Sequence, residues 1–308
     1  FPPEPSMRLT SDVVAYTVDA IPKWNPINVC SYHVQEAGAT PVQEIAYALA
    51  NAIGVLDAVR ARPDLPAGAI PRVVGRISFF LNSGIRFVEE GCKGRAMGEL
   101  WEQITRDRYG VDDAELRRFR YGVQVNSLGL TESQPENNAI RIALEAPGVT
   151  PPKQARCRAL QLPDWNEALG LPRPWDQQWS LRIQQILAYE TDLLEYEDLF
   201  EGSKVVEART RELRQEARVE LDRVLAMGGV VGAVENAWMK QRLVESQTRR
   251  AEAIERGELT VVDVNRFTES EPSPLLGGEQ SILRVDERAE REQIEKLVAF
   301  RARRNQAE

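Results

Sequence analysis

Four short apolar runs, each followed by a longer helical pattern, divide the first part of the chain. Runs rich in β-branched and aromatic residues predict strands, here at 27–33, 76–81, 121–126 and 158–162. After the first run, apolar residues recur at helical spacing from Val42 to Val59, and Pro41 suits the first turn of that helix. The helices after the other runs are expected to end near 106, to span 135–145 and to span 177–199.

A strand, a loop and a helix, repeated in this way, are typical of a parallel sheet with right-handed crossovers. Such units build either a small open sheet or half of an eight-stranded barrel, and the pattern alone does not choose between them. In both architectures the reacting groups lie at the carboxyl ends of the strands and in the loops that follow. We therefore expect the polar residues near the strand ends to point toward one mouth.

From Ser203 onward the chain is helical in pattern and strongly charged. One helix is predicted by an apolar stripe at Leu213, Ala217, Leu221 and Val224. Gly228 and Gly229 indicate its end. The remaining segments are predicted as a helix at 231–256, a strand at 260–265, a linker at 268–279 and a mixed-charge helix at 282–308.

Composition narrows the class of protein. With 308 residues, 43% hydrophobic and 28% charged, the chain is typical of a globular protein. A net charge of −8 argues against a nucleic-acid partner, and the apolar stretches are too short to span a bilayer. Three cysteines without CxxC spacing predict neither a disulfide framework nor a zinc site. A reducing cytosol is therefore the expected compartment. The start, Phe1-Pro2-Pro3, has no initiator Met and no secretory signal, so we expect a processed product or a fragment.

A single histidine, His33, limits the available chemistry. Zinc sites built on two histidines and metal facial triads are excluded within this chain, and no metal site is predicted. Any imidazole chemistry near neutral pH has to use His33. From the residues alone, however, His33 is either a structural or a catalytic residue. Arg76 and Arg120 are likewise either surface charges or ligand contacts, and Glu167 is either a cap or a ligand contact.

Four segments near the strand ends carry a resemblance: FPPEPSMR (1–8), YHVQEAGAT (32–40), RYGVQVNSLGLTE (120–132) and NEALGLPRPWDQQ (166–178). In this order and spacing they resemble the adenosylcobalamin-dependent acyl-CoA mutases, the methylmalonyl-CoA mutase superfamily. The run VNSLGLTESQPENN, together with the segment from LPRPWDQQ to YEDLF, is most similar to the ethylmalonyl-CoA branch. The resemblance covers about residues 1–267 and, more weakly, the last helix.

The resemblance implies an architecture. Residues 1–200 match the C-terminal half, about four β/α units, of an α/β fold of the TIM (β/α)8 barrel type. Residues 201–267 match a helical extension with a short strand, and 268–308 match a linker and helix that lead to a cobalamin-binding domain absent from this chain. The N-terminal half barrel is absent as well. A homodimer is implied for the full-length parent.

The resemblance also implies a reaction. Family members rearrange the carbon skeleton of an acyl-CoA substrate by radical chemistry, with adenosylcobalamin as cofactor. For the ethylmalonyl branch this converts (2R)-ethylmalonyl-CoA to (2S)-methylsuccinyl-CoA. The alternatives are a methylmalonyl-CoA or isobutyryl-CoA mutase, and a non-catalytic or complementing subunit derived from the same family. The isolated fragment is expected to be inactive.

Residue roles follow from the same resemblance. His33 is expected to hydrogen-bond the thioester carbonyl and share a proton with it, while Tyr32 presses on the adenosyl group and the substrate. Arg76, Ser78 and Arg120 match family positions that bind the coenzyme A chain and its phosphates. Gln124 is expected to contact the substrate, and Glu167 is expected to accept hydrogen bonds from the adenosyl ribose. The family's cobalt-ligand motif, Asp-x-His-x-x-Gly, does not match the residues around His33, so no cobalt ligand is expected.

Three departures from the family pattern concern stability rather than the site. The segment 146–152, Ala-Pro-Gly-Val-Thr-Pro-Pro, replaces a continuous helix. Proline inside a helix costs about 3 kcal/mol, so we expect this helix to end early. Gly91 and Gly94 replace larger helix formers, and Asp263 stands where relatives carry glycine. Because half a barrel exposes two sheet edges, the chain on its own is expected to be unstable.

Overall fold

The computed structural model describes residues 2–150, 155, 157–273, 283 and 286–305. Its centre is a sheet of four strands in which every neighbouring pair is parallel and the spatial order follows the chain. The strands are β1 (Asn28–Cys30), β2 (Ser78–Ser83), β3 (Tyr121–Val125) and β4 (Ala159–Gln161). Each connection crosses over through helices, so the predicted α/β class with a parallel sheet is confirmed.

Helices cover one face of this sheet and continue beyond it. Those that precede or connect the strands, or follow β4, are α1 (Pro3–Ala20), α2 (Tyr32–Glu36), α3 (Pro41–Arg60), α4 (Ala69–Val74), α5 (Phe87–Asp107), α6 (Ala114–Arg117), α7 (Glu136–Glu145) and α8 (Pro174–Tyr189). Those of the second part are α9 (Lys204–Ala226), α10 (Gly229–Glu235), α11 (Trp238–Glu255) and α12 (Glu287–Arg303).

Helix α3 lies at the centre of the core, and its start is well determined by the sequence. Thr40 and Gln43 form a reciprocal capping box, with Pro41 in the first turn. Within the described part of the chain, α3 is the helix long and apolar enough to cross a membrane. However, 72% of that apolar window is buried inside the protein, as in a core helix.

The two faces of the sheet differ in exposure. Val29, Phe79 and Val123 point toward the helices and are buried, and Phe79 meets the ring of Trp101 edge-on at 5.0 Å. Because side chains alternate along a strand, their neighbours lie on the opposite face. This open face carries half-buried residues: Cys30, Ser78, Phe80, Gly122 and Gln124. It is the surface along which a ligand can contact the strands.

The stripe predicted after Ser203 is confirmed, because Leu213, Ala217, Leu221 and Val224 are all buried. Helix α9 uses it to pack against α3 and α5. The helix ends at Ala226, and Gly228 then adopts a left-handed conformation with φ 90°. By contrast, α12 has no buried residue.

Two predicted helices have different bounds in the structure. The helix expected at 177–199 begins earlier, at Pro174, and ends at Tyr189. There the Thr191 hydroxyl donates to the Leu187 carbonyl and accepts from the Leu193 N–H, which favours a turn over further helix. The helix expected at 231–256 is broken into α10 and α11.

The break between α10 and α11 has a local cause. Ala237 has a positive φ of 61°, and the Asn236 side chain accepts a hydrogen bond from the Trp238 N–H. Such an Asx arrangement competes with the helix and starts a new one.

The strand predicted at 260–265 is wrong. The segment forms turns with a single bridge between Val262 and Arg266. The Asn265 side chain donates to the carbonyls of Ile254 and Leu259, which ties the segment to the end of α11 instead of to a sheet. Asp263 has φ 68°, a left-handed conformation that asparagine, aspartate and glycine tolerate best.

Two of the departures from the family pattern, the segment 146–152 and Gly94, coincide with local features of the structure. Helix α7 ends at Glu145, as predicted, and Pro147 lies in a 3₁₀ turn, Ala146–Gly148. Residues 151–154 lie outside the described residues. A Cβ at Gly94 would meet the Tyr121 hydroxyl at 3.2 Å, so glycine gives that phenol room.

Candidate functional site

Tyr32 and His33 lie at the carboxyl edge of the sheet, in a short helix rather than in the predicted strand. Strand β1 ends at Cys30, and Ser31 occupies the position before α2. The Ser31 N–H still reaches the Phe80 carbonyl at 2.8 Å, and its hydroxyl donates to Glu44 at 2.9 Å. This turn stops the strand and starts the helix, so the assignment of 31–33 to a strand is wrong.

Tyr32 is buried, and its surroundings keep the phenol neutral. Its hydroxyl lies 2.8 Å from Ser127 Oγ, and its ring packs against Phe80 with a centroid distance of 6.4 Å. Burial, opposed by the Ser127 hydrogen bond but reinforced by the charges of Glu36 and Glu167, raises the pKa of Tyr32 to about 12. The side chain is therefore suited to packing and hydrogen bonding, and it stays protonated at neutral pH.

A polar network that sequence reasoning missed holds this edge together. Glu36 Oε1 accepts hydrogen bonds from Asn82 Nδ2 at 2.9 Å and from the Ser127 N–H at 3.2 Å. Asn126 Nδ2 donates to Asn82 Oδ1 at 3.2 Å, which links the ends of β2 and β3. The available signal was an asparagine within or after each apolar run, since a polar residue at such a position needs partners.

His33 is the exposed member of the pair. Its ring meets that of Tyr32 edge-on at 5.4 Å, and its Nδ1 lies 3.2 Å from Cys30 Sγ. Within the described residues, its Nε2 has no hydrogen-bond partner. One ring nitrogen is thus held by the protein, and the other is available to a ligand.

Glu167 lies on the same edge, in the 3₁₀ turn Glu167–Leu169. Burial first, and then the charges of Asp164 and Glu36, raise the pKa of its carboxyl. The neighbouring Asn166 donates to Asp176 at 2.9 Å, while its buried Oδ1 has no hydrogen-bond partner among the described residues. The Glu167 carboxyl thus lies close enough to Tyr32 and Glu36 to interact with them electrostatically.

Arg76, Ser78 and Arg120 lie at the opposite edge of the sheet. Ser78 is the first residue of β2, and Arg120 precedes β3. Because the strands are parallel, the residues that precede them share the amino edge, whereas His33 follows β1 on the carboxyl edge. The prediction that all polar residues point toward one mouth is therefore wrong.

The amino edge is positively charged. Arg120 donates to the carbonyls of Gly75, at 2.6 Å, and Glu115, at 3.0 Å, which fixes its guanidinium in place. Burial, and then the positive charges of Arg158 and Arg118, lower the pKa of Arg120. Arginine stays charged even so, and the clustering of guanidinium groups makes this edge attractive to anions.

Ser78 and Gln124 lie on the open face, toward the amino and the carboxyl edge respectively, and Arg76 is fixed at the amino edge. Arg76 donates to the Thr17 carbonyl at 3.2 Å, and Ser78 Oγ accepts from Asn25 at 2.6 Å. Gln124 lies on the open face, in register with Asn82 near the carboxyl edge. The predicted residues therefore form a strip across the sheet, from an anion-attracting edge to the edge with Tyr32 and His33.

Comparison with known proteins identifies the family. A family model described as methylmalonyl-CoA mutase matches residues 1–308. The chain belongs to the methylmalonyl-CoA mutase family. The resemblance seen in its sequence motifs is confirmed, and its four parallel β/α units are those of a partial (β/α)8 barrel.

Two ethylmalonyl-CoA mutases are similar to this mutase-family chain. The protein from Methylorubrum extorquens is 59% identical and that from Cereibacter sphaeroides 60% identical, each over 306 residues and 99% of this chain. The human mitochondrial methylmalonyl-CoA mutase is 31% identical over 309 residues, which covers 100% of this chain. The chain spans 44%, 46% and 40% of the length of these three relatives, respectively.

Beneath the site, the mutase-family chain contains a fully buried ion cluster. Lys93 Nζ donates to Glu44 at 2.6 Å and to the Asn82 carbonyl at 2.7 Å, and it also pairs with Glu90. Burial opposes its charge, but Glu44 and Glu90 outweigh burial and raise the pKa of Lys93. Glu44 in turn holds the Ser31 hydroxyl, so the cluster supports the turn that carries Tyr32 and His33.

Among the described residues, no group of three or more His, Cys, Asp and Glu side chains is arranged to hold a metal ion.

Proposed function

We propose that this chain is the substrate-binding barrel portion of an adenosylcobalamin-dependent acyl-CoA mutase that converts ethylmalonyl-CoA to methylsuccinyl-CoA. The observation that carries the proposal is the strip of site residues across the sheet, in a chain about 60% identical to ethylmalonyl-CoA mutases. The division into barrel portion (1–200), helical extension (201–267) and connecting segment (268–308) belongs to the same proposal. So do a homodimeric state and a cytoplasmic location.

The strip fits a long ligand with one anionic end. In this proposal Arg76, Ser78 and Arg120 bind the coenzyme A chain and its phosphates, because guanidinium groups match phosphate oxygens in charge and geometry. The thioester arm then lies along the open face past Gln124. Its acyl end reaches the carboxyl edge, where Tyr32 and His33 stand.

His33 acts on the thioester in this proposal. An imidazole that presents an N–H donates a hydrogen bond to the thioester carbonyl and shares that proton as charge develops on the oxygen. His33 is exposed, and its Nε2 has no hydrogen-bond partner among the described residues, so this nitrogen is available for the task. Tyr32, neutral and packed edge-on to the imidazole, shields the reacting carbons from water and limits their motion.

The residues present fit the adenosyl part of the cofactor. Ribose hydroxyls need acceptors, and the carboxyl edge offers the Glu167 carboxyl. Glu167 and Tyr32 are the residues that hold the adenosyl group in this proposal. When bound, adenosylcobalamin supplies the radical that removes hydrogen from the substrate and returns it.

The test of this proposal uses the intact protein, meaning the full-length parent that contains this chain, with adenosylcobalamin bound. We expect ethylmalonyl-CoA to be converted to methylsuccinyl-CoA, followed by mass spectrometry of the coenzyme A esters. Turnover of methylmalonyl-CoA without turnover of ethylmalonyl-CoA would assign the protein to the sister activity. No turnover of either ester by correctly folded, cofactor-loaded protein would overturn the mutase assignment.

Two substitutions of His33 distinguish its role as a hydrogen-bond donor from its role in sharing the proton. We expect His33→Ala to lower the rate about 10²–10⁴-fold, the range of general acid catalysis. His33→Gln keeps an N–H donor but cannot share the proton, so it should retain only part of the lost rate. A loss below threefold in His33→Ala would show that the residue is structural.

A further inference from the structure

The environment of His33 contains a contact that the proposed function leaves unused. Cys30 Sγ lies 3.2 Å from His33 Nδ1. Cys30 is the last residue of β1, on the open face, and His33 is the second residue of α2. The turn at Ser31 brings the thiol and the ring together, because the strand ends and the helix starts within two residues.

The chemistry of the two groups favours one arrangement of protons. A thiol sulfur is a weak acceptor, whereas the lone pair of a neutral imidazole nitrogen accepts hydrogen bonds well. The thiol hydrogen therefore belongs between Sγ and Nδ1, with Cys30 as donor. A neutral imidazole that accepts at Nδ1 carries its own hydrogen at Nε2.

We propose that Cys30 is a positioning residue that holds His33 in the tautomer with hydrogen on Nε2. This inference rests on the proposed function, in which the Nε2–H donates to the thioester carbonyl. The opposite tautomer offers that carbonyl a lone pair instead of a donor and repels it. Cys30 thereby determines whether the histidine is competent, without touching the substrate carbonyl itself.

Neighbouring groups do not replace this contact. Tyr32 presents a ring edge to the imidazole, and its hydroxyl is engaged with Ser127 at 2.8 Å. The Ser31 hydroxyl is turned toward Glu44. Within the described part of the chain, Cys30 is thus the side chain that selects between the two ring nitrogens.

The test uses intact, cofactor-free protein labelled with ¹⁵N-histidine. Long-range proton–nitrogen correlation spectra distinguish the two tautomers, and the His33 signals are those that disappear in His33→Gln. We expect the Nε2–H tautomer in the parent and in Cys30→Ser, which keeps a donor. Cys30→Val and Cys30→Ala, which have none, should show a mixture of tautomers.

Steady-state kinetics of the enzyme with adenosylcobalamin bound complete the test. Cys30→Val should lower kcat roughly two- to tenfold at unchanged KM, the effect of one hydrogen bond of ordinary strength, and Cys30→Ser should restore it. A parent with hydrogen on Nδ1, or a tautomer unaltered in both Cys30→Val and Cys30→Ala, would overturn the assignment. If the parent turns over no acyl-CoA, the proposed function fails instead, and the spectra still decide the role of Cys30.

Discussion

Tyr32 and His33 are adjacent in sequence but differ in exposure. Tyr32 is buried against Phe80 with its hydroxyl engaged, whereas His33 is exposed with one ring nitrogen available. A buried, neutral phenol provides a fixed wall, and an exposed imidazole provides a donor. The first residue of helix α2 therefore shapes the site, and the second is the one that can act on a ligand.

At the amino edge, Arg120 is expected to contribute to binding rather than to the chemical step. Arg120→Met should raise the KM for acyl-CoA at least about tenfold with little change in kcat, because in the proposed function it removes a charge that binds the coenzyme A chain, remote from the reacting atoms. Arg72→Met, which removes an exposed arginine paired with Asp19, is the control. A large fall in kcat at unchanged KM would contradict this assignment.

Glu145 makes stability depend on pH. Burial, and then the charges of Glu90 and Glu36, raise its pKa to about 9 from an ordinary value of 4.5. Between these values the folded state binds a proton that the unfolded state releases, so this group destabilises the fold as pH rises.

We therefore expect Glu145→Gln to be more stable than the parent at pH 8, and the advantage to vanish near pH 4. A gain of 1 kcal/mol corresponds to about 2–4 °C in Tm for a domain of this size. Thermal unfolding of the intact protein at several pH values measures it. Glu235→Gln, a change at an exposed carboxyl, is the control and should show no such trend. An advantage that is equal at both pH values would exclude the titration of Glu145 as its cause.

At the scale of elements, the turn between β1 and α2 depends on the helices behind it. Lys93 on α5 holds Glu44 on α3, and Glu44 holds Ser31 at the start of α2. The cluster thus ties two helices of the outer layer to the loop that carries the site. Because its charges are fully buried, loss of one partner leaves others uncompensated.

Lys93→Met is expected to lower the free energy of unfolding by about 3–5 kcal/mol, as in other buried ion clusters that lose one partner. Urea unfolding of the intact protein measures the change. Adding Glu44→Gln to Lys93→Met removes one of the buried carboxylate charges left without a counter-ion and should recover part of the loss. A destabilisation below about 1 kcal/mol would indicate that water or another cation reaches the cluster.

The long elements were predictable because their patterns repeat over several turns. Helix α3 shows both helical periodicity and a capping box, and the stripe of α9 is buried as its spacing indicates. Helix α2 has only five residues, too few to display a period, so Tyr32 and His33 were assigned to the preceding strand. The break at Ala237 depends on a positive φ that no apolar pattern reveals.

The layout of the candidate site was not predictable from the resemblance. The resemblance supplied Arg76 and His33, and the structure separates them to opposite edges of the sheet. Their order along the chain contained this information, since Arg76 precedes a strand and His33 follows one. The network around Glu36 was not predictable, because its hydrogen bonds join β2, β3 and α2, which are distant in sequence.

At the scale of the whole molecule, the sheet has two free sides. Among the described residues, β1 pairs only with β2, and β4 pairs only with β3. Unpaired strand edges and an open face favour association with other chains. We therefore expect the 308-residue chain on its own to self-associate.

Light scattering and size-exclusion chromatography measure this association. Charged residues on an edge oppose pairing, so Asn28→Lys with Ala159→Lys, at exposed positions on the two edge strands, should reduce it. A monomer of the unaltered chain that unfolds cooperatively would contradict the expectation.

The separation of the amino and carboxyl edges also limits which ligands can contact both. Strand β2 has six residues and extends about 16 Å at roughly 3.3 Å per residue. Hydrogen bonds to β1 and β3 hold it on both sides, so this length does not adjust to the ligand. A ligand that contacts the arginines and His33 at once therefore has to extend along the open face of the sheet. In the proposed function, a thioester on a short carrier would contact one edge only, so the sheet would favour long acyl carriers before any contact with the acyl group.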